Sequence, residues 1–272
     1  MNMQIGIVAG SKSLPLLLAK RISKSRKFTK VVAICFKGET SSKLCQYVDK
    51  CLWVKVGKLK DLREAIKTQK IKDWVMAGQI NPLNIFKKSR WDDELKSVAE
   101  GEINFCPHTF FKAIINHLES EGVNFLDSTL YLKDDLAQEG VINGLSLSDE
   151  TKENIDFGLD KISKFVEIDI GQVLVVKNKT VVSLEALEGT DNTIKRGFKI
   201  AGPQTAIFKF ARQNQDLRFD VPVVGISTLK LAKRVKASCL VLEQDKTIIL
   251  EKEKFLYLSK KWNIPVIGLK RS

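Results

Sequence analysis

Histidine is nearly missing from this 272-residue chain, with two copies, and its five cysteines include no CxxC pair. So few histidines exclude a histidine-rich metal centre. An odd number of unpaired-looking cysteines predicts neither a disulfide framework nor a structural zinc site. No run approaches the roughly 18 consecutive apolar residues that a membrane span requires. The opening MNMQIGIVAG has no basic stretch and no small-residue cleavage site, so it does not read as a secretory signal. These features describe a soluble protein of a reducing compartment. His108 and His117 lie near no GxSxG or cysteine signature, which leaves Ser-His-Asp and Cys-His chemistry without support. A GxGxxG fingerprint is missing as well, and this disfavours a nucleotide-dependent oxidoreductase.

Hydrophobic residues make up 44% of the chain and charged ones 28%, with 16 Gly and 6 Pro, enough apolar material for a core and too little Gly and Pro for low complexity. The length favours two domains. In the first part, short apolar runs alternate with amphipathic ones: IGIVA, VVAICF, LWVKV, DWVMAG and VNFLDS as strands, LPLLLAKRISKSRK, KLKDLREAIKTQK and PHTFFKAIINHLESEG as helices. Ser13 is expected to cap the first helix, with Pro15 in its first turn. Strands alternating with helices predict a doubly wound, Rossmann-like parallel sheet over residues 1–130. Beyond it the rhythm changes. A linker-like stretch leads to a helix over DETKENIDFGLDKISKFV, then to a hairpin, GQVLVVKNKTVVSLEAL, turning at Lys-Asn-Lys. Further strands (AIFKF, CLVLEQ, IPVIGL) alternate with helices, so residues 131–272 read as an α+β domain.

The formal charge is +13, from 45 basic and 32 acidic residues, and residues 1–130 carry +9 of it against +4 for the rest. No RNP-like aromatic pattern or recognition motif accompanies the basic residues, so nucleic acid is not the expected partner. Solvated helix faces account for most of them, and an anionic membrane surface is the other reading.

Four segments are candidates for chemistry. The GSKS turn, with Gly10 and Ser11, joins the first strand to its helix, where doubly wound folds present N–H groups to phosphates; a generic tight turn is the alternative. MAGQINP repeats that geometry after the fourth strand, with Gly78 allowing close backbone approach and Gln79 offering an amide. In EALEGTDNTIKRG, Glu185, Glu188 and Asp191 surround Gly189 and Thr190. This is either a helix start capped by Thr190 or Asp191, or a site for a hard cation or a substrate hydroxyl. In FARQNQDLRFDVPVVG, Asp216 and Asp220 flank Arg218, a charged surface turn or a place to orient a metal and a phosphate together. Lys209 precedes it as a phosphate contact.

Seven phrases, in order and across nearly the whole chain, carry a resemblance: IGIVAGSKSLPLLLA, FKGET, MAGQINP, LDSTLYL, DIGQVLVVK, EALEGTDNTIKRG and NQDLRFDVPVVG. Together they resemble the bacterial UDP-2,3-diacylglucosamine pyrophosphatases of the LpxI type, although GSKS stands where a more glycine-rich opening is expected. The resemblance implies a cytoplasmic, peripherally membrane-associated hydrolase of lipid A (lipopolysaccharide) biosynthesis. Such an enzyme splits UDP-2,3-diacylglucosamine into UMP and 2,3-diacylglucosamine 1-phosphate with Mg²⁺, at the inner leaflet. It also implies that Asp169, Gln172, Glu188, Thr190, Asp191, Asp216 and Asp220 belong to the site. Asp220 is the expected catalytic carboxylate and Asp216 its rival, both as metal ligands, while Glu188 and Asp191 are further catalytic candidates. Gly10, Ser11, Gly78, Gln79, Lys209 and Arg218 join Asp169, Gln172 and Thr190 as substrate-binding candidates. A non-catalytic nucleotide-sugar or phospholipid-binding protein is the alternative function, and a homo-oligomer is left open.

Overall fold

The computed structural model describes residues 3–80, 88–100, 107–213 and 215–271 and divides into two compact units. One comprises Met1–Tyr131 with Leu217–Phe219, the other Leu132–Asp216 with Asp220–Ser272. Asn81 and Pro82 of the MAGQINP segment, Cys106 and Asn214 lie outside the described residues.

In the N-terminal unit, β1 (Gln4–Ala9), β2 (Lys30–Phe36), β3 (Lys50–Val54), β4 (Asp73–Ala77) and β5 (Asn124–Leu126) form one sheet in the order β3-β2-β1-β4-β5. Every neighbouring pair is parallel. The connections contain α1 (Leu14–Ser25), α2 (Leu59–Gln69), α3 (Asp93–Glu100) and α4 (Pro107–Glu119). This is the doubly wound sheet that the alternation predicts. The strand order reverses between β1 and β4, and in such sheets ligand crevices open at the carboxyl ends there. The helix α3 has no counterpart in the sequence reading, because its short DELKSVAE buries only Leu95 and Ala99. The core centres on Trp74, which is fully buried and donates its indole N–H to the carbonyl of Ile71 at 2.9 Å.

Ser13 makes no side-chain cap at α1; its carbonyl instead accepts from Leu17 N–H at 3.0 Å. Cysteine departs further from expectation. Cys45, in the 3-10 turn Ser42–Tyr47, is disulfide-bonded to Cys51 on β3. Their six-residue separation resembles no paired-cysteine motif, and only the return of β3 alongside β2 brings them together.

His117 is a boundary residue, with its Nε2 2.8 Å from Glu94 Oε1. Arg63 reaches the same carboxylate through two N–H donors at 2.8 and 3.1 Å. Burial pushes the Glu94 carboxyl up, but the hydrogen bonds from Arg63 and His117 outweigh it and hold it below its usual range.

In the C-terminal unit, a six-stranded mixed sheet runs β6 (Gly140–Val141), β13 (Val266–Leu269), β11 (Cys239–Glu243), β9 (Ala206–Lys209), β7 (Val173–Lys177) and β8 (Thr180–Leu184). The β9-β11-β13 part is parallel, whereas β6 and the β7–β8 hairpin are antiparallel additions. Asn178 and Lys179 both take positive φ, 49° and 53°, as a two-residue hairpin turn demands. The two-residue strands β10 (Val223–Val224) and β12 (Ile248–Ile249) pair separately. Helices α5 (Asp149–Glu167), α6 (Thr190–Ala201), α7 (Ile226–Arg234) and α8 (Lys252–Lys261) complete the unit.

The period of two along a strand explains why β11 is apolar throughout. Leu240 and Leu242 face one core with Ile194, Leu229 and Phe255, while Cys239 and Val241 face a second with Ile155, Ile162 and Phe165. Burial pushes the Cys239 thiol up to about 12.

Two predictions follow from these cores. A Cβ on Gly6 would stand 2.1 Å from the Trp74 ring, which its indole bond holds in place. Gly6→Ala is expected to cost about 1–3 kcal/mol by overpacking, measured as a lower urea midpoint. Because the Glu94 carboxyl is depressed in the folded state, its stabilisation is present above the unfolded carboxylate range and is lost as pH falls through the folded value. Glu94→Gln should therefore flatten the acid limb of a Tm-against-pH curve.

Candidate functional site

In the N-terminal unit the turns after β1 and β4 lie side by side at the switch point. Ser11 and Gln79 form an isolated antiparallel bridge: Ser11 N–H donates to the Gln79 carbonyl at 2.7 Å, and its hydroxyl reaches the same oxygen at 2.5 Å. Gly10 N–H donates to the Ala77 carbonyl at 2.8 Å. These two N–H groups are thus consumed within the protein, which corrects the expectation that the turn holds them out for an anion. Gly78 has φ of 88°, and a Cβ there would lie 2.5 Å from the Ser11 carbonyl. Only glycine meets both conditions. The sequence reading singled out both turns, but they are closed on each other by backbone bonds that no motif displays.

Arg218 also belongs to this unit. Its guanidinium donates to Glu119 Oε2 at 2.7 Å, and its carbonyl accepts from the Ser128 hydroxyl at 2.8 Å. Ser128, fully buried, also takes the Leu217 carbonyl on its N–H at 2.9 Å. The Ser of the LDSTLYL phrase therefore secures the Leu217–Phe219 segment. Arg218 falls in a different unit from Asp216 and Asp220, although it is adjacent to both in sequence.

In the C-terminal unit, the end of β8, the start of β7 and the end of β9 meet at one edge of the sheet. Glu185 is its organiser. Its Oε2 accepts from Gln172 N–H at 2.9 Å, and its Oε1 from the Thr190 hydroxyl at 3.1 Å. Lys209 Nζ lies 3.3 Å from the same hydroxyl. A Cβ on Gly171 would be 2.2 Å from the Glu185 carbonyl, so a side chain there would drive the β8 exit away. Helix α6 begins at Thr190 with Gly189 as N-cap and no side-chain cap, so neither Thr190 nor Asp191 has the capping role considered for it. The Thr190 hydroxyl is committed to Glu185 and Lys209 instead. Asp191 is exposed in the first turn of α6.

Alongside this lies a second group. Arg212 places its guanidinium 3.7 Å from Asp169 and 3.6 Å from Asp220. Asp169 takes φ of 55°, and Asp220 N–H donates to the Asp216 carbonyl at 2.9 Å. Phe210 N–H donates to the Gln172 carbonyl at 3.0 Å, which joins the two groups through the backbone. Glu188 instead pairs with Arg196 at 2.5 Å and accepts from Ala186 N–H; the Arg196 bond leads in holding its carboxyl below the usual range.

Of the predicted residues, then, Gln172, Thr190 and Lys209 are tied through Glu185, and Asp169 and Asp220 through Arg212. Glu185 entered the sequence reading only as one of three carboxylates around Gly189 and Thr190, and Arg212 only as part of the FARQNQDLRFDVPVVG segment. The available signal for Arg212 was its place two residues beyond the apolar AIFKF strand.

Among the described residues, the one cluster of three His, Cys, Asp or Glu ligand atoms within 4.8 Å of one another is Cys35, Cys45 and Cys51. No carboxylate cage for a hard cation is therefore preassembled among them. Mg²⁺ commonly takes one or two carboxylates and completes its shell with waters and substrate phosphates. The oxygen donors of Asp216 and Asp220 suit that partial role.

The LpxI N-terminal domain matches residues 4–135, and the LpxI C-terminal domain matches residues 138–267. The chain belongs to the LpxI family. UDP-2,3-diacylglucosamine pyrophosphatase LpxI from Caulobacter vibrioides is 24% identical over 169 residues. That match takes in 58% of this LpxI chain and spans 59% of the relative's length. Among solved structures, N5-carboxyaminoimidazole ribonucleotide synthetase from Thermotoga maritima is similar over 70% of this chain and 43% of its own. Its 14% identity and TM-score of 0.24 carry no argument about the site.

Glu185→Ala leaves the Gln172 N–H and the Thr190 hydroxyl without their acceptor, an expected loss of about 1–2 kcal/mol. Glu185→Gln keeps one acceptor oxygen and should lose less, as a pair of urea denaturation curves would show.

Proposed function

We propose that this LpxI-family chain hydrolyses the diphosphate of UDP-2,3-diacylglucosamine, releasing UMP and 2,3-diacylglucosamine 1-phosphate in lipid A biosynthesis. The observation that carries this reading is the gathering of Thr190, Lys209, Asp169, Arg212 and Asp220 at one sheet edge, in a chain matched by both LpxI domains. The relative's name supplies the substrate.

In this reading the Lys209 ammonium meets the diphosphate oxygens, and Thr190, whose hydroxyl proton goes to Glu185, holds Lys209 Nζ in place. Asp220 orients the attacking water, and Arg212 holds the Asp220 carboxylate in place. Asp216 and Asp220 would hold Mg²⁺, which when bound supplies charge neutralisation at the diphosphate. Gln172 and Asp169 line the same edge, while the Gly10–Ser11 and Gly78–Gln79 turns, closed on each other, have no part in this reading. Glu188 and Asp191 stay as candidates at the entrance of α6.

Exposed apolar side chains flank the C-terminal group in sequence: Ile168 and Ile170 on either side of Asp169, and Leu184 and Leu187 around Glu185. Leu187 is fully exposed. Such residues suit a substrate with two acyl chains and a chain that docks peripherally on the inner leaflet. No helix among the described residues is long and apolar enough to cross a membrane.

Release of UMP from UDP-2,3-diacylglucosamine, followed with and without EDTA, tests the activity and its metal dependence together. Asp220→Ala is expected to lose turnover, by at least about 100-fold given the size of single-group electrostatic contributions, while still binding the substrate. Substrate binding without UMP release by the unaltered chain would show a binding protein instead.

A further inference from the structure

Cys35, Cys45 and Cys51 converge in the N-terminal unit for a reason of topology. Residues 33 and 35 of β2 point to one face of the sheet, and Ala33 is the register partner of Cys51 on β3. Cys35 and Cys51 therefore share a face, one pleat apart, and the intervening 3-10 turn returns Cys45 over them. All three Sγ atoms lie within 4.8 Å of one another, with Cys35 buried and the other two half-buried. The Cys35 and Cys51 sulfurs are 3.9 Å apart.

Two thiolates bound to one thiophilic ion at about 2.3 Å stand about 3.8–4.0 Å apart in trigonal or tetrahedral geometry. The Cys35–Cys51 spacing already meets this, and Cys45 needs only release from its disulfide to join them. We propose that the reduced chain binds one thiophilic metal ion, of the Zn²⁺ class, through Cys35, Cys45 and Cys51. A thiol reductant first supplies two electrons and two protons to the Cys45–Cys51 bond. Zn²⁺ then replaces three thiol protons, which pass to solvent, and no oxidation state changes in that second step. Water takes the fourth zinc position, since no His, Asp or Glu joins the three sulfurs among the described residues. Disulfide and ion use the same two sulfurs and exclude each other, so metal occupancy reports the redox state of this turn. The site is independent of the hydrolase reading.

The full-length chain is reduced, freed of reductant under anaerobic conditions and titrated with Zn²⁺ against a chromophoric chelator. One Zn²⁺ per reduced chain is expected, and none at this site in the oxidised chain. Cys35→Ser, Cys45→Ser and Cys51→Ser should each weaken binding by more than about tenfold, the low end of what even outer-shell losses cost. Cys239→Ser, buried in the other unit, should bind as the unaltered chain does. Co²⁺ in place of Zn²⁺ should give near-ultraviolet thiolate-to-metal absorption, which decides the matter on the unaltered chain if a serine variant fails to fold. A disulfide that resists excess thiol reductant would overturn the proposal. So would zinc binding unchanged in Cys45→Ser, or Co²⁺ binding without thiolate absorption.

Discussion

Parallel strands impose one constraint on which both units depend: each must be followed by a crossover, so chain exits collect at the same sheet end. In the N-terminal unit this places the Gly10–Ser11 and Gly78–Gln79 turns together at the switch point. In the C-terminal unit the antiparallel hairpin adds the start of β7 and the end of β8 to the edge where β9 ends. The candidate residues lie just before or just after strands that begin or end there. Their convergence follows from connectivity before any side chain makes a bond.

The bonds that then form are unequal in kind. At the N-terminal edge they are chiefly backbone to backbone, and glycine is needed because a Cβ on Gly78 or Gly10 would stand 2.5 or 2.8 Å from the facing backbone oxygen. At the C-terminal edge they are side-chain bonds around two charged organisers, Glu185 and Arg212. Glu185 spends both oxygens on positioning, holding Gln172 and Thr190. Arg212 faces two carboxylates at distances beyond a direct hydrogen bond, so its attraction is chiefly electrostatic. A carboxylate and a guanidinium so disposed keep Lys209 and Asp220 at one edge without using either as the organiser.

Much of this was legible from the chain alone, for identifiable reasons. The apolar runs IGIVA and VVAICF and the helical period of KLKDLREAIKTQK state buried strands and amphipathic helices directly, because burial on one or both faces leaves a period in the sequence. The short α3 was not legible, since two buried residues in eight make no convincing period. Ser13 looked like a cap, yet a cap depends on a side-chain rotamer and a backbone angle that residue type only favours. The disulfide between Cys45 and Cys51 escaped for a related cause: strand pairing, not spacing, sets which sulfurs meet.

By itself, then, the sequence determined the class of both sheets, the hairpin, the family phrases and the list of polar residues at strand ends, because these are local properties of periodicity and composition. Tertiary structure alone decided which of those residues meet. It joined Asp169 to Asp220 through Arg212 across about fifty residues of chain, and it assigned Arg218 to Glu119 although Asp216 and Asp220 are its sequence neighbours. It also set three cysteines within reach of one ion. The physical reason is common to all three: a contact depends on the register and order of strands, which arise from the packing of the whole chain, and no local pattern encodes them.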